Sequence, residues 1–170
     1  MTPHLQKPLD WKLGKGVVAW IDQNCLPTVT LPPEAHRIVI DGKPAYHVTL
    51  LRRREIEPAQ EAMSIVWPNV VQQPLLIPQP RIISGIQTAG DASDGDKVWF
   101  LLIDNGPEFD AALQKLLVLL HESFSQAGWP NTLIQPETKR WHVTIANTRG
   151  GDPLLSSSGG EPSTNQKESD

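Results

Sequence analysis

Two short stretches of this chain carry one arrangement of reactive side chains: Tyr46-His47-Val48-Thr49-Leu50 and Trp141-His142-Val143-Thr144-Ile145. Both are rich in β-branched and aromatic residues, the composition of a strand. In a strand, alternate side chains share a face, so His47 projects with Thr49 and His142 with Thr144. Each copy then offers an imidazole and a hydroxyl about 6 to 7 Å apart, comparable with the span of a phosphate and its ester oxygens. Displacement at phosphorus needs a base on the attacking oxygen and an acid on the departing one, on opposite sides of the phosphorus. Histidine serves either role, because its ordinary pKa of about 6.5 leaves both protonation states accessible near neutrality. The threonine hydroxyls can donate to the non-bridging oxygens as charge builds on them. No metal and no cofactor enter this scheme, and none is expected.

With five histidines in the chain, chance places a Ser or Thr two residues after a His on the order of once. His121-Glu122-Ser123 is such a coincidence, since it falls in a helical stretch where residues two apart face different ways. The strand copies differ from it: both read His-Val-Thr followed by Leu or Ile, and both follow an aromatic. Either one alone is more simply a half-buried strand histidine. The pair favours catalysis.

The surrounding pattern supplies elements to hold both copies. Residues 16–22 read as a buried strand and 23–33, with three prolines, as a loop. Residues 37–40 and 45–51 flank Asp41-Gly42-Lys43-Pro44, a hairpin signal in which glycine supplies a positive φ, and the two runs are expected to pair. A helix is expected over 55–66, ending before Pro68, followed by an extended crossover at 72–80. Two further strands are expected at 81–87 and 97–104 around a polar loop at 88–96, in a meander. The helix at 107–127 has the strongest period, with Phe109, Ala112, Leu113, Leu116, Leu117, Leu120 and Phe124 on one face. Asn105 suits its N-cap and Gly128 the position beyond its last turn. A short strand at 132–134 and a certain one at 140–147 complete the pattern. Residues 1–13 read as a polar lead, 14–149 as one domain and 150–170 as a disordered tail.

The doubled His-x-Thr-hydrophobic motif, at His47 to Leu50 and His142 to Ile145, resembles that of the 2H phosphoesterase superfamily, which includes the LigT-like RNA 2',3'-cyclic phosphodiesterases. The resemblance covers about residues 14–149. It implies an α+β, bilobal fold: two antiparallel sheets related by a pseudo-twofold axis, helices on the outer faces, and one motif strand from each lobe facing a central cleft. It also implies His47 and His142 as general acid and base and Thr49 and Thr144 as phosphate ligands, without saying which histidine is which. LigT-like members often carry an arginine five residues beyond the second histidine, where this chain has Asn147. Arg140 shares parity with His142, and Arg53 shares parity with His47 if that strand continues, so both are candidate phosphate ligands. The simpler expectation for Arg52-Arg53-Arg54 and Lys139-Arg140 is a solvated strand end. Tyr46 and Trp141 have packing parity, and a base-stacking aromatic is sought among Trp20, Trp67 and Trp99.

The resulting expectation is hydrolysis of a 2',3'-cyclic phosphate, on an RNA end or a small nucleotide, to a 2'-phosphate. The cyclic substrate and the product come from the resemblance; the residues support phosphoester chemistry. The alternatives are trimming of RNA 3' ends, cleavage of 2',5'-oligonucleotides, opening of ADP-ribose cyclic phosphate, or a non-catalytic module binding phosphorylated ends. A zinc site lacks an evident third ligand.

The net charge of -4 argues against a general polyanion binder and weakly favours small or terminal substrates. The single cysteine, Cys25, permits no internal disulfide and is expected to pack as a small apolar residue. No run of about 18 apolar residues and no leader-like segment occurs. A monomeric protein that does not use membranes is expected, cytoplasmic or else nuclear.

Overall fold

Leu9–Lys12 (β1) and Gly16–Ile21 (β2) pair antiparallel, with Leu9 opposite Ala19 and Lys12 opposite Gly16. The computed structural model describes residues 8–12, 16–40, 42–90 and 97–148. A strand at β1 departs from the polar lead expected over residues 1–13, because four residues are too few for an alternation to be read and the pairing with β2 supplies what the pattern lacks. Gly16 has φ 124°, and a Cβ there would collide with the Leu51 carbonyl oxygen, so the backbone approach requires glycine. The proposed tail, 150–170, lies outside the described residues.

The chain is α+β, with two antiparallel sheets and few helices. Tyr46–Arg52 (β6) joins the first sheet, in the order β1-β2-β6. The second sheet has the order β3-β9-β8-β7, built from His36–Arg37 (β3), Gln87–Ala89 (β7), Val98–Leu102 (β8) and His142–Asn147 (β9). Val39–Ile40 (β4) and Lys43–Pro44 (β5) form a two-stranded ribbon beside Gly42, whose φ is 78°. Its pairing goes one step further, the Ala45 N–H donating to the Ile38 carbonyl at 3.1 Å, and stops. The expected long pairing of 37–40 with 45–51 fails because the first run is already engaged. Arg37 pairs with Ala146, and the Ile38 N–H donates to the Ile145 carbonyl at 3.0 Å.

Two compact units make up the chain: Met1–Ala19, Thr49–Gln79 and Asn105–Lys139 form the first, and Trp20–Val48, Pro80–Asp104 and Arg140–Asp170 the second. The first holds the helices. Arg53–Ile56 (α1) leads through a 3-10 turn at Glu57–Ala59 into Gln60–Val70 (α2), and α2 packs on Gly106–Gln126 (α3). All seven apolar residues read as one face of α3 are buried. Each buried Leu or Phe among them contributes about 1.5 to 3 kcal/mol when removed from water, which outweighs the modest propensities of the helix. Asn105 stands at the N-cap without capping a backbone N–H through its side chain; its amide donates to the Gln79 carbonyl at 2.7 Å and to Glu108 Oε1 in the first turn at 3.1 Å. At the other end the Trp129 N–H closes back onto the Phe124 carbonyl at 2.8 Å. Helix α2 runs two residues past Pro68, contrary to the expected stop. The N–H that proline lacks would have bonded the carbonyl of Ser64, an exposed residue where water can replace it.

In the second unit, Trp99, Leu101, Ile103, Trp141, Val143 and Ile145 are buried together with Ile38, Tyr46 and Val48. The strand expected at 81–87 is reduced to a bridge between Ile82 and Ile103. Beyond it the Ser84 hydroxyl takes the Leu102 N–H at 3.0 Å, occupying a donor that a ladder would have used, and regular pairing begins only at Gln87. The expected loop over 88–96 thus begins inside β7, and its residues 91–96 lie outside the described ones. No strand forms at 132–134, where Ile134 is buried from an irregular segment.

Candidate functional site

Along β6 the side chains alternate: Tyr46, Val48 and Leu50 are buried, whereas His47 and Thr49 are half-buried. Along β9 the same holds, with Val143 and Ile145 buried and His142 and Thr144 half-buried. The alternation in β9 then ends, because Phe100 lies opposite Thr144 but Trp99 opposite Ala146, leaving Ile145 as an inserted residue in a bulge. Ala146 and Asn147 are buried in consequence. Asn147, standing where an arginine was sought, is therefore part of the packed end of the strand.

His47, His142 and Thr144 all belong to the second unit. Each imidazole meets an aromatic ring edge to face. Trp20 and His47 have ring centroids 5.4 Å apart at 77°, and Phe100 and His142 have theirs 5.4 Å apart at 66°. Of the three tryptophans considered, Trp20 is thus the one beside a motif histidine; Trp99 is buried and Trp67 lies on α2. Phe100 was not anticipated. Only the β8–β9 register, which places it opposite Thr144 and diagonal to His142, reveals it.

The two imidazoles differ at Nδ1. That of His142 lies 3.1 Å from the Arg140 carbonyl oxygen, which can only accept, so this nitrogen carries the hydrogen. That of His47 is buried, with no hydrogen-bond partner among the described residues. Burial away from water, and then the charge of His142, push the His47 pKa down to about 4 from 6.5. A proton on one ring therefore opposes a proton on the other.

Thr49 and Arg53 fall in the first unit. Thr49 follows His47 on β6 with the same half-buried parity. Arg53 does not continue that parity: β6 ends at Arg52, and Arg53 opens α1, where it pairs with Glu57 one turn on at 3.5 Å. Its proposed place on the motif face is corrected accordingly. Arg140 precedes β9 and is exposed, its backbone carbonyl being the group that meets His142.

Arg53 and Arg54 are exposed at the start of α1, whereas the solvated strand end expected at Lys139 is corrected. Within the first unit the Glu55 carboxylate, 0% exposed, accepts the Arg52 N–H at 2.5 Å and the Glu137 N–H at 2.5 Å and pairs with the Lys139 ammonium, itself 3% exposed. Arg54 grips Glu137 through two nitrogens at 2.7 and 3.0 Å, and Arg52 adds a longer ion pair at 3.6 Å. Glu55 was passed over because two of its partners, Glu137 and Lys139, lie more than 80 residues away in sequence. Cys25, expected inside, is half-buried.

Among the described residues, no three His, Cys, Asp or Glu side chains converge as a metal-holding group, and no helix is long and apolar enough to cross a membrane. No protein-family model, curated protein or solved structure matches this chain.

Proposed function

We propose that this protein is a phosphodiesterase that opens 2',3'-cyclic phosphates, on RNA ends or small nucleotides, to 2'-phosphates by two-histidine acid–base catalysis. The observation that carries the proposal is the placement of His47 and His142: two half-buried imidazoles from strands far apart in the sequence lie in one unit, each edge to face with an aromatic ring at 5.4 Å. Two imidazoles in one unit suit a reaction that takes one proton and delivers another in the same displacement. Thr144 on β9 is proposed as a donor to the non-bridging oxygens, and Arg140 as an outer phosphate ligand. Membership of the 2H phosphoesterase superfamily, with two pseudo-twofold-related lobes, is part of the same proposal and rests on the doubled motif.

The test is to incubate the protein with 2',3'-cyclic AMP and with an oligonucleotide ending in a cyclic phosphate, in EDTA, and to identify the products by phosphorus NMR. A 2'-phosphomonoester is expected. His47→Ala and His142→Ala are each expected to slow the reaction by about 10² to 10⁴-fold, the usual contribution of a positioned acid or base. Full turnover in either variant, or no product from the unaltered protein on either substrate, would sink the proposal.

A further inference from the structure

We infer that Glu55 is a positioning residue for the reaction proposed above, a reading that rests on that function, and that it acts by fixing the backbone carbonyl that orients the His142 ring. A glutamate at the third position of a helix can close a capping box with one oxygen. Oε1 of Glu55 does so, taking the Arg52 N–H at 2.5 Å at the end of β6. Oε2 has no part in that cap. It accepts the Glu137 N–H at 2.5 Å and meets the Lys139 ammonium, which also donates to the Glu137 carbonyl at 3.1 Å. Both side chains of the Glu55–Lys139 pair are buried within the first unit. A buried ion pair is often no more stabilising than apolar side chains of the same volume. What this one adds is a set place for residues 137–139, since a carboxylate with three donors is satisfied in few arrangements.

Lys139 is joined directly to Arg140, whose carbonyl oxygen lies 3.1 Å from His142 Nδ1. One residue further on, the Trp141 carbonyl takes the Ile103 N–H at 3.1 Å. The peptide between Arg140 and Trp141 is thus held from both flanks, by the ladder after it and by Glu55 before it. Its carbonyl selects the neutral form of His142 with hydrogen on Nδ1, which leaves the lone pair on Nε2. Loosening residues 137–139 frees this peptide to rotate, and the ring loses both its tautomer and its orientation. Glu55, being buried, meets no substrate. Its loss should therefore lower kcat and leave KM in place.

The test compares wild type with Glu55→Gln, which offers one oxygen where the carboxylate offers two, and with Lys139→Met, which breaks the tie nearest Arg140. Leu116→Ala is the control, because it weakens the same unit without removing any of these hydrogen bonds. Circular dichroism shows which variants are folded. Imidazole nitrogen NMR at about pH 8.5, where an ordinary imidazole is neutral, then reads the His142 tautomer without any turnover. Wild type and Leu116→Ala are expected to carry the hydrogen on Nδ1, and Glu55→Gln to shift it toward Nε2. On a 2',3'-cyclic phosphate, Glu55→Gln should lose about 10 to 100-fold in kcat with KM held within about twofold, the size of effect seen when the group behind a functional histidine is lost. Lys139→Met should show both changes in smaller measure, and it decides the matter alone if Glu55→Gln does not fold. A folded variant of Glu55 or Lys139 with the wild-type tautomer or with full kcat overturns the inference and leaves the proposed function standing, as does a control that changes in the same way. A wild type without activity sinks the proposed function, and the tautomer measurement still decides whether Glu55 places the ring.

Discussion

His47 bears a consequence for stability as well as for chemistry. Its pKa falls from 6.5 to about 4 in the folded chain, so between those values the unfolded state binds more protons than the native one. Stability therefore rises with pH across that window: the contribution is present above 6.5 and is lost as pH falls toward 4. The shift corresponds to at most about 3.5 kcal/mol. Urea unfolding of wild type and His47→Asn at pH 7 and pH 4.5 should show the wild type losing more stability on acidification than the variant. Equal losses would mean that His47 is not held neutral in the native state. The motif histidines themselves were legible in the sequence because strand parity is a local property, fixed by the backbone whatever packs above it. Their inequality was not legible, since it depends on a carbonyl two residues away in one case and on burial in the other.

At the scale of elements, α3 was read almost to its ends, because seven apolar residues at helical spacing admit only one way of being buried together. Leu116, fully buried near the middle of that face, should cost about 2 to 5 kcal/mol when changed to alanine, by lost transfer energy and the cavity left behind. Changing exposed Val118 on the same helix to alanine should alter stability by less than about 0.5 kcal/mol. Chemical denaturation of the two variants checks the contrast, and equal effects would mean that the assigned buried face is wrong. Gly16→Ala is expected to destabilise through its contact with the Leu51 carbonyl and through its positive φ. Strands were read less well. The run at 81–87 has the composition of a strand, yet Ser84 intercepts the Leu102 N–H and ends the ladder. Run 37–40 has a hairpin's turn beside it but divides its pairing between the short ribbon with Lys43–Pro44 and β9.

For the molecule as a whole, Glu55 ties together stretches far apart in the sequence. Its carboxylate, without exposure, holds two backbone N–H groups and a buried ammonium. Burial alone would push the Lys139 pKa down, and Glu55 opposes that. Removing the carboxylate takes this acceptor from both backbone N–H groups and leaves the ammonium on the Glu137 carbonyl at 3.1 Å, so Glu55→Ala should cost about 3 to 5 kcal/mol. Lys139→Met leaves the carboxylate with both backbone donors and should cost less. A larger loss from Lys139→Met, measured by urea unfolding, would show that the ammonium and not the carboxylate organises this cluster.

From sequence alone came the α+β character, the α3 core face, and the two His-Val-Thr segments with the parity of their side chains. These are consequences of period, which each segment carries within itself. The tertiary structure decided which strand pairs with which, that β9 bulges at Ile145, that Arg53 leaves the strand for a helix, and that Phe100 and Trp20 stand against the imidazoles. It also decided that Nδ1 of His142 meets a carbonyl oxygen while Nδ1 of His47 has no partner among the described residues. Such facts depend on partners tens of residues away, and no local pattern records a contact whose two halves are joined only when the chain folds.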